Sequence, residues 1–380
     1  MEGIIIGAGI GGLSTAIAMN MHSIDVKIFE SAKELSSIGA GILIPPNAMA
    51  ILKKYNLESH IRDLGVAIES IDIVDLKGKK LSETNTYHSN NGEAYQTVAI
   101  HRGILQKILL NALPTNTLVS NKRCIEVVSD TNSIRARFGD DTSETGGFLV
   151  GADGIHSQVR NSTFPNSALR YSGQTCWRGV SDITLPTKWL SRLTEIWGNG
   201  IRFGFVPISE SKVYWYATKV AEKNGSDNTA DIKQYLQELY QKCLEPVKDI
   251  IFNTPTSSII RDDLNDLLPL KTWFRDSTVL IGDAAHASTP NLGQGGAQAI
   301  EDSWFLAESI SKYSTTHEAF HTFQKIRIAK AQKVVDASWQ IGKITNLSNS
   351  IACNVRNTIF RCIPSYMMKK QTSLLYDVPW

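Results

Sequence analysis

The feature that most constrains the fold is a group of three glycines close to the start of the chain, Gly7, Gly9 and Gly12. They have the spacing G-x-G-x-x-G, and they follow a short apolar run at 3–6 that has the pattern of a β-strand. After them, an amphipathic pattern predicts a helix that ends at about Met21. A glycine turn with this spacing between a strand and a helix predicts a βαβ unit that binds a dinucleotide.

Each glycine is required for a separate physical reason. Gly7 permits the tight turn, Gly9 lets backbone amides approach a pyrophosphate, and Gly12 lets the helix and the strand pack closely. The N-terminus of the helix then stabilises the anion. The next strand-like run, 26–29, is followed by Glu30, and an acid at this place binds ribose hydroxyls and disfavours a 2′-phosphate. This motif alone leaves both NAD and FAD open as the dinucleotide.

Composition excludes several other classes of protein. The chain has 380 residues, of which 42% are hydrophobic and 20% charged, as is typical of a soluble globular protein. Its 39 Lys and Arg nearly balance its 37 Asp and Glu, and no basic stripe is present, so we expect no nucleic-acid partner. Because a single hydrophobic core stops growing at about 250–300 residues, we expect two domains.

The cysteines and one apolar stretch decide the expected compartment. The five cysteines are odd in number, far apart and never spaced C-x-x-C, so we predict reduced thiols and no metal site. The stretch 3–24 has no Lys, Arg, Asp or Glu and could imitate a membrane span, but it carries five glycines and no basic segment precedes it. We therefore expect a cytoplasmic protein without a transmembrane segment.

A second part of the chain has a different composition. Nine aromatic residues lie within 46 positions and predict a separate β-sheet: Tyr171, Trp177, Trp189, Trp197, Phe203, Phe205, Tyr214, Trp215 and Tyr216. The remainder after about residue 293 has mainly helical patterns. The predicted fold class is therefore mixed α/β, with a Rossmann-like domain, a β-sheet domain that binds the substrate and C-terminal helices.

Three further motifs lie far downstream of the glycine turn. Arg102 begins the segment 102–106, the segment 151–154 reads Gly-Ala-Asp-Gly, and the segment 282–286 reads Gly-Asp-Ala-Ala-His. Together with the glycine turn, and in this order, they resemble the motifs of the single-component FAD-dependent aromatic hydroxylases, the family around p-hydroxybenzoate hydroxylase. The resemblance extends to about residue 345, and the pattern is nearest to bacterial urate hydroxylases.

The resemblance implies how FAD would be bound. Asp153 would lie near the pyrophosphate and near NAD(P)H, together with Arg160. Asp283 would bind the ribityl or ribose part, and the backbone of 290–297 would stabilise the negative charge of the reduced ring. Lys33 is an early cation after the ribose acid, in a stretch where the family has an Arg. The implied FAD-binding residues are Gly7, Gly9, Gly12, Glu30, Lys33, Arg102, Asp153, Gly154, Asp283, Pro290, Gly293, Gly295, Gly296 and Ala297.

The candidate catalytic residues are Arg202, Tyr214 and His286. Alternation along the strand at 201–206 places Arg202 on the face opposite Phe203, and an Arg in an aromatic sheet needs an anion or a carboxylate partner. Arg202 would orient an anionic aromatic substrate that Tyr214 contacts, or both are structural; His286 is either catalytic or packed beneath the flavin. Asn291 stands where urate hydroxylases have Asp, so urate is one candidate beside phenolic or heteroaromatic acids and tetracycline-like polycycles.

The implied function is that of an FAD-dependent monooxygenase. NADH or NADPH would reduce FAD, O2 would form a C4a-hydroperoxide on the flavin, and one oxygen atom would pass to an aromatic or heteroaromatic small molecule. Two alternatives remain: an FAD-dependent reductase or dehydrogenase on the same scaffold that consumes no O2, and a non-catalytic flavin-binding sensor. We expect a monomer or a homodimer.

The motifs also predict where the domains lie. A discontinuous FAD-binding domain would contain residues 1–68, 97–168 and 265–345, and the substrate-binding sheet domain residues 69–96 and 169–264. Residues 346–380 would form a C-terminal helical segment. This segment is apolar and basic, and we expect a helix in it that packs on the FAD-binding domain, with weak contact to a membrane surface as the alternative.

Overall fold

The computed structural model describes residues 2–35, 40–130, 133–227, 231–364 and 372–380. Its strands are β1 (Gly3–Ile6), β2 (Val26–Phe29), β3 (Gly41–Ile44), β4 (Val66–Ile68), β5 (Ser70–Asp75), β6 (Lys80–Asn85), β7 (His88–Asn90), β8 (Glu93–Tyr95), β9 (Thr97–His101), β10 (Leu118–Val119), β11 (Cys124–Ser129), β12 (Ile134–Phe138), β13 (Ser143–Gly146), β14 (Phe148–Gly151), β15 (Leu169–Asp182), β16 (Arg192–Trp197), β17 (Ile201–Ser209), β18 (Lys212–Val220), β19 (Ile260–Leu267), β20 (Phe274–Arg275) and β21 (Thr278–Leu280). Its α-helices are α1 (Ile10–Met21), α2 (Pro46–Lys54), α3 (Glu58–Leu64), α4 (Arg102–Asn111), α5 (Gln158–Thr163), α6 (Ile232–Leu239), α7 (Val247–Phe252), α8 (Asp283–His286), α9 (Gly295–Lys312), α10 (Thr316–Thr345) and α11 (Ser350–Cys362).

A six-stranded sheet carries the glycine turn. Its strand order is β10-β2-β1-β14-β21-β20, with the first five strands parallel and β20 antiparallel. Every residue of β1 and β14 is buried, as expected for central parallel strands covered on both faces. The strands at 3–6 and 26–29 and the helix that ends at Met21 lie where the sequence predicts them. The parallel strands therefore bring the ends of β1, β2, β14 and β21 to one edge of the sheet.

The aromatic-rich segment forms a second sheet of seven strands in the order β19-β15-β18-β17-β16-β5-β6. All its strand pairs are antiparallel except β16 with β5. One face packs on α6 and α7 through an apolar cluster in which Phe203 stacks on Trp215, with ring centroids 5.5 Å apart. Arg202 points to the opposite face, as the alternation predicts. That second face packs toward the small sheet β3-β9-β4. This small sheet and the six-stranded sheet, with the helices around them, form the first unit, and the seven-stranded sheet with α6 and α7 forms the second unit.

Two details of the predicted sheet domain differ in the structure. Within the predicted segment 69–96, only β5 and β6 join the seven-stranded sheet. The hairpin β7-β8 instead packs on α2 and on the end of the chain, because His88 Nε2 lies 2.7 Å from a carboxylate oxygen of Asp377 and Asn90 donates to the carbonyl of Tyr376. At the other end, β19 continues to Leu267. The division into two domains otherwise stays a prediction.

The C-terminal helix lies in an unexpected place. We expected a helix packed on the FAD-binding domain, and this expectation is wrong for α11, which packs on the edge strand β6 of the seven-stranded sheet. Arg361 pairs with Asp75 at 2.7 Å, and the Phe360 ring lies 4.8 Å from that of Trp197. An edge strand exposes unpaired backbone groups, so a helix that covers it protects the sheet from further pairing.

Residues 372–380 do pack on the first unit. The ammonium group of Lys54 lies over the rings of Trp304 and Trp380, at 4.8 and 4.5 Å from the centroids. Two of the basic residues expected to contribute to the C-terminal segment, Lys369 and Lys370, lie outside the described residues. Within the described parts of the chain, no helix combines the length and the apolarity that crossing a bilayer requires.

Candidate cofactor and substrate site

The glycine turn between β1 and α1 forms a cradle that side chains would fill. Gly7 has a φ of +102°, and a Cβ at Gly12 would lie 1.9 Å from the carbonyl oxygen of Gly7. A Cβ at Gly9 would meet no atom within 4 Å, so the space in front of it is open. No side chain caps the first turn of α1, which leaves its backbone N–H groups for a ligand. Open amides at a helix start fit a pyrophosphate.

The acid at the end of β2 is held beside this cradle. One oxygen of Glu30 accepts the N–H of Ala8, and the other accepts the N–H of Ala32, both at 2.8 Å. Lys33 lies on the surface nearby. Because the carboxylate is fixed at the carboxyl end of β2 and partly exposed, its position fits an acceptor for ribose hydroxyls.

A second part of the same edge is formed by α8 and the start of α9. Asp283 is exposed, and a Cβ at Gly295 would lie 3.6 Å from its Oδ1. The helix α9 begins at Gly295 without a side-chain cap, and Gly293 before it has a φ of +61°. A Cβ at Gly296 would come within 3.0 Å of the Ile42 side chain. The predicted residues 290–297 therefore lead into an uncapped helix start beside the Asp283 carboxylate. The free backbone N–H groups of this helix start are donors of the kind that a reduced flavin needs.

Arg102 supplies a positive charge beside the glycine turn. It begins α4, its side chain is exposed, and no ion pair of it is present within the described residues. Its backbone N–H donates to the carbonyl of Ala40, and one turn later Gln106 donates to the carbonyl of Ala8 at 2.8 Å. An exposed cation tied to the glycine turn fits the charge of a pyrophosphate.

The predicted pair Asp153 and Arg160 makes contacts of a structural kind. Asp153 accepts the backbone N–H groups of Gln158 and Val159 at 2.7 and 3.1 Å and so caps α5. Arg160 is 3% exposed and donates to the carbonyl of Ala284 in α8 at 3.1 Å. Gly154 has a φ of +78° and open space at its Cβ position. The predicted FAD and NAD(P)H contacts of these residues stay predictions.

On the substrate side, Arg202 joins the seven-stranded sheet to the segment before α9. It is 2% exposed and donates to Asn291 Oδ1 at 2.6 Å, to Glu195 Oε1 at 3.3 Å and to Thr218 Oγ1 at 3.3 Å. Asn291 is held in turn by donating to the carbonyl of Ser338 at 2.9 Å. The carboxylate partner that a buried Arg requires is therefore Glu195. These contacts favour the structural alternative for Arg202, and its catalytic role stays a prediction.

Sequence reasoning missed the group around Glu195. The indole N–H of Trp197 donates to one of its carboxylate oxygens, and the hydroxyl of Tyr216 donates to the other. Burial, followed by the Glu195 charge, raises the pKa of Tyr216 well above its ordinary value. A Cβ at Gly204 would lie 2.2 Å from the Tyr216 ring, so this ring crosses the strand where a side chain is absent. Strand alternation places these residues on one face, but only the register between strands shows that they meet.

Tyr214 on β18 packs against β3 of the first unit. A Cβ at Gly41 would lie 2.4 Å from the Tyr214 ring, and the ring packs with Leu43 and Val206. Burial raises the pKa of Tyr214 to about 12, although the charge of Arg178 opposes this, so the phenol is neutral at pH 7. This close contact explains why β3 has a glycine where it passes the seven-stranded sheet.

His286 lies in the interior of the first unit. It is 7% exposed, its Nε2 is 2.6 Å from Asp302 Oδ2, and its ring lies 4.9 Å from that of Trp273. Asp302 also accepts Arg327 Nε at 2.9 Å and the backbone N–H of Gly282. These contacts favour the packing alternative over a catalytic role, which stays a prediction.

Comparison with known proteins identifies the family of this chain. Residues 1–338 match the family described as FAD binding domain. The chain belongs to this FAD-binding family. It is 35% identical over 369 residues to the aurachin C monooxygenase/isomerase of Stigmatella aurantiaca, covering 97% of this chain and 96% of that protein. It is 31% identical over 379 residues to the 2-heptyl-3-hydroxy-4(1H)-quinolone synthase of Pseudomonas aeruginosa, covering 99% and 98%.

Solved structures show the same fold. The structure of Klebsiella pneumoniae HpxO complexed with FAD and uric acid superposes with a TM-score of 0.88 at 22% identity, covering 99% of this chain and 97% of that one. The predicted fold class, the FAD cofactor and the flavoprotein monooxygenase class are therefore confirmed. The alternatives without oxygen chemistry find no support among these relatives.

The carboxylate of Asp302 makes the stability of this flavoprotein depend on pH. Burial alone would raise the pKa of Asp302, but His286 and Arg327 hold it at about 2, below the ordinary value of 3.8. A depressed pKa stabilises the fold above pH 4, and this contribution of about 2 kcal/mol is lost as the pH falls from about 4 to 2. We expect the stability difference between the wild type and Asp302→Asn in urea unfolding to shrink by that amount over this range. Exposed Asp63→Asn is the control, and a difference for Asp302→Asn that does not change with pH contradicts the prediction.

Proposed function

We propose that this monooxygenase uses NADH or NADPH and O2 to hydroxylate a 4-quinolone or a closely related heteroaromatic small molecule. The observation that carries the proposal is the contact of Arg202 with Asn291 at 2.6 Å. It holds the polar face of the seven-stranded sheet against the segment that leads into α9, whose first backbone amides are the proposed donors to the flavin. A flat ring between these two surfaces lies within reach of both the flavin and the side chains of the sheet.

FAD, when bound, supplies the reduction and the activation of oxygen; the residues of the chain supply binding and position. The uncapped start of α9 at Gly295 offers backbone donors to the ring system. On the opposite side, Tyr214 and Tyr216 present partly exposed aromatic rings, and the partly exposed Leu43 adds apolar surface that excludes water. No charged nucleophile is needed, because the transferred oxygen atom would come from O2 that the bound FAD activates.

The choice of a quinolone over urate rests on two observations. The Pseudomonas aeruginosa relative whose name specifies a 4(1H)-quinolone matches nearly the whole length of both chains at 31% identity. At Asn291, the chain has a neutral amide where the urate hydroxylase pattern has an acid, and this amide is already bound to Arg202. Urate, phenolic acids and tetracyclines are therefore the comparison ligands.

The test is to follow NADH and NADPH oxidation and O2 uptake by the purified protein while candidate ligands are added. We expect a yellow protein whose O2 uptake is accelerated by 2-heptyl-4(1H)-quinolone more than by urate, salicylate or tetracycline, with one oxygen atom added to the product in mass spectrometry. The 3-hydroxylated quinolone is the control ligand, because its C3 position is already oxygenated. Acceleration by urate alone, or turnover without O2, overturns the proposal.

The cellular setting is part of the proposal. A cytoplasmic location fits free thiols, since no disulfide joins the five cysteines and three of them, Cys124, Cys176 and Cys353, are buried. We propose a monomer or a homodimer, which light scattering after size-exclusion chromatography distinguishes.

A further inference from the structure

A row of four residues crosses the face of the seven-stranded sheet that carries Arg202 and Tyr214, which is the proposed substrate face. Arg178 on β15 lies opposite Tyr216 on β18, Tyr216 lies opposite Gly204 on β17, and Gly204 lies opposite Glu195 on β16. Side chains that are directly opposite on neighbouring strands lie on the same face. Because Gly204 has no side chain, the Tyr216 ring reaches across it and its hydroxyl donates to Glu195.

The charges on this face are balanced in pairs. Glu195 neutralises Arg202 at 3.3 Å, and Asp262 lies 3.4 Å from the guanidinium of Arg178. Arg202 is 2% exposed, and its three donor nitrogens are each bound to a protein oxygen. Because it is so deeply buried, it offers no exposed edge for the two-point contact by which Arg binds a carboxylate. The cation that the sequence suggested for an anionic substrate is already used.

We propose that Tyr216 and Glu195 form the recognition site for a neutral heterocycle that donates an N–H hydrogen bond, and that Glu195 excludes carboxylated aromatic ligands. This inference rests on the proposed function and specifies the substrate class of the same site. It assigns the selectivity for ligand charge to a residue that the sequence motifs do not mark.

The hydrogen-bond directions support this assignment. The Tyr216 hydroxyl gives its hydrogen to the carboxylate, so only the lone pairs of its oxygen remain for a ligand, and the ligand must be the donor. A hydroxyl that donates to a carboxylate is also a stronger acceptor. Tyr216 keeps part of its surface exposed, whereas Glu195 is buried behind it. The ring N–H of a 4(1H)-quinolone is a donor of this kind.

Glu195 also disfavours anions. A ligand carboxylate has no hydrogen to donate to the Tyr216 oxygen, and beside this hydroxyl it would face the Glu195 carboxylate while Arg202 is already paired. A neutral ligand pays no such cost. The site therefore selects for the neutral ring by repulsion of the anion as well as by attraction of the N–H group.

The experiment measures dissociation constants with the FAD-loaded protein, from ligand-induced changes in the flavin absorbance and in tryptophan fluorescence. The probes are 2-heptyl-4(1H)-quinolone, its N-methyl derivative, which has no donor, and quinoline-4-carboxylate. For the wild type we expect the N–H quinolone to bind about 10-fold more tightly than the N-methyl compound and the carboxylate to bind most weakly.

Two variants and one control test the two residues. Tyr216→Phe should weaken the N–H quinolone about 10-fold and leave the N-methyl compound unchanged, since only the first uses the hydroxyl. Glu195→Gln should weaken the N–H quinolone and strengthen the carboxylate, changing their affinity ratio about 100-fold. The control is Asp72→Asn, because Asp72 is a buried carboxylate that pairs with Arg192 at 2.9 Å on the opposite face of the same sheet.

The outcomes separate this inference from the proposed function. If Glu195→Gln and Tyr216→Phe keep the wild-type affinity ratios, or if Asp72→Asn changes them equally, the inference is overturned while the proposed function stands. If the wild type binds the carboxylate more tightly than the quinolone, the inference is also overturned. A flavin-loaded wild type that binds none of the three probes overturns both.

Discussion

Replacing Gly9 by valine is expected to give a folded protein that does not bind FAD. Gly9 has a φ of −71° and a ψ of −177°, which any residue adopts, and a Cβ there meets no protein atom within 4 Å. The added side chain fills only the open space in front of the glycine turn, where the pyrophosphate would lie. We expect the FAD affinity to fall by at least about 100-fold, or roughly 3 kcal/mol. Flavin absorbance per protein and the thermal unfolding of the apoprotein measure both effects.

Two other glycines serve as matched controls for Gly9→Val. A Cβ at Gly12 would lie 1.9 Å from the Gly7 carbonyl oxygen, so Gly12→Val should lose both FAD and stability. A Cβ at Gly139, an exposed residue directly after β12 and outside the glycine turn, would meet its nearest neighbour at 3.7 Å, so Gly139→Ala should keep FAD. A yellow Gly9→Val protein with wild-type FAD affinity would show that the pyrophosphate does not lie at this turn.

The first βαβ unit could be predicted from the sequence because its signals are local. Each glycine acts on a neighbour within a few residues, and β1, α1 and β2 follow each other directly along the chain. The same holds for Asp283 and the start of α9, which stand close together in the sequence. The aromatic density of 171–216 likewise predicts a sheet, since strand patterns are read within one strand.

The substrate face could not be predicted, because it depends on which strands pair and in which register. Glu195 is seven residues from Arg202 along the chain, but Asn291 is 89 residues from it, and neither pairing has a pattern in the sequence. The family resemblance marks Arg202 and Tyr214, but it does not mark Tyr216. Tyr216 bonds to Glu195 because Gly204, which has no side chain, lies between them. A shift of the register by one residue would turn these side chains to the apolar face.

The packing of the chain end was missed for a related reason. An amphipathic helix pattern shows that α11 has an apolar side, but not which surface covers it. The apolar residues Ile351, Val355 and Ile359 stay exposed, while Cys353 and Arg356 face the seven-stranded sheet. The hairpin β7-β8 joins residues 376–378 through Asn90, a contact that spans most of the chain. Long-range contacts of polar side chains leave no periodic signal.

A buried charge network beneath α9 carries the other large expected effect. Arg327 on α10 is fully buried; it bonds to Glu301, donates to Asp302 Oδ1 at 2.9 Å and donates to Gln298 Oε1 at 2.7 Å. Glu301 also accepts Asn47 Nδ2 at 2.6 Å. Through Asn47 and Gln298 the network reaches Gln294, the residue that precedes α9. The position of the α9 start therefore depends on a cation in the core.

Replacing Arg327 by methionine is expected to lower the free energy of unfolding by about 3–5 kcal/mol. Methionine fills much of the space, but it leaves the carboxylates of Glu301 and Asp302 buried with one fewer cation, and an unpaired buried charge is costly. Lys330 and His286 compensate only in part, since each pairs with one carboxylate. Urea unfolding measures the loss, and Lys312→Met, which breaks the exposed pair with Glu308, should cost less than about 1 kcal/mol. Equal losses in the two variants would mean that burial does not set the cost of breaking these pairs.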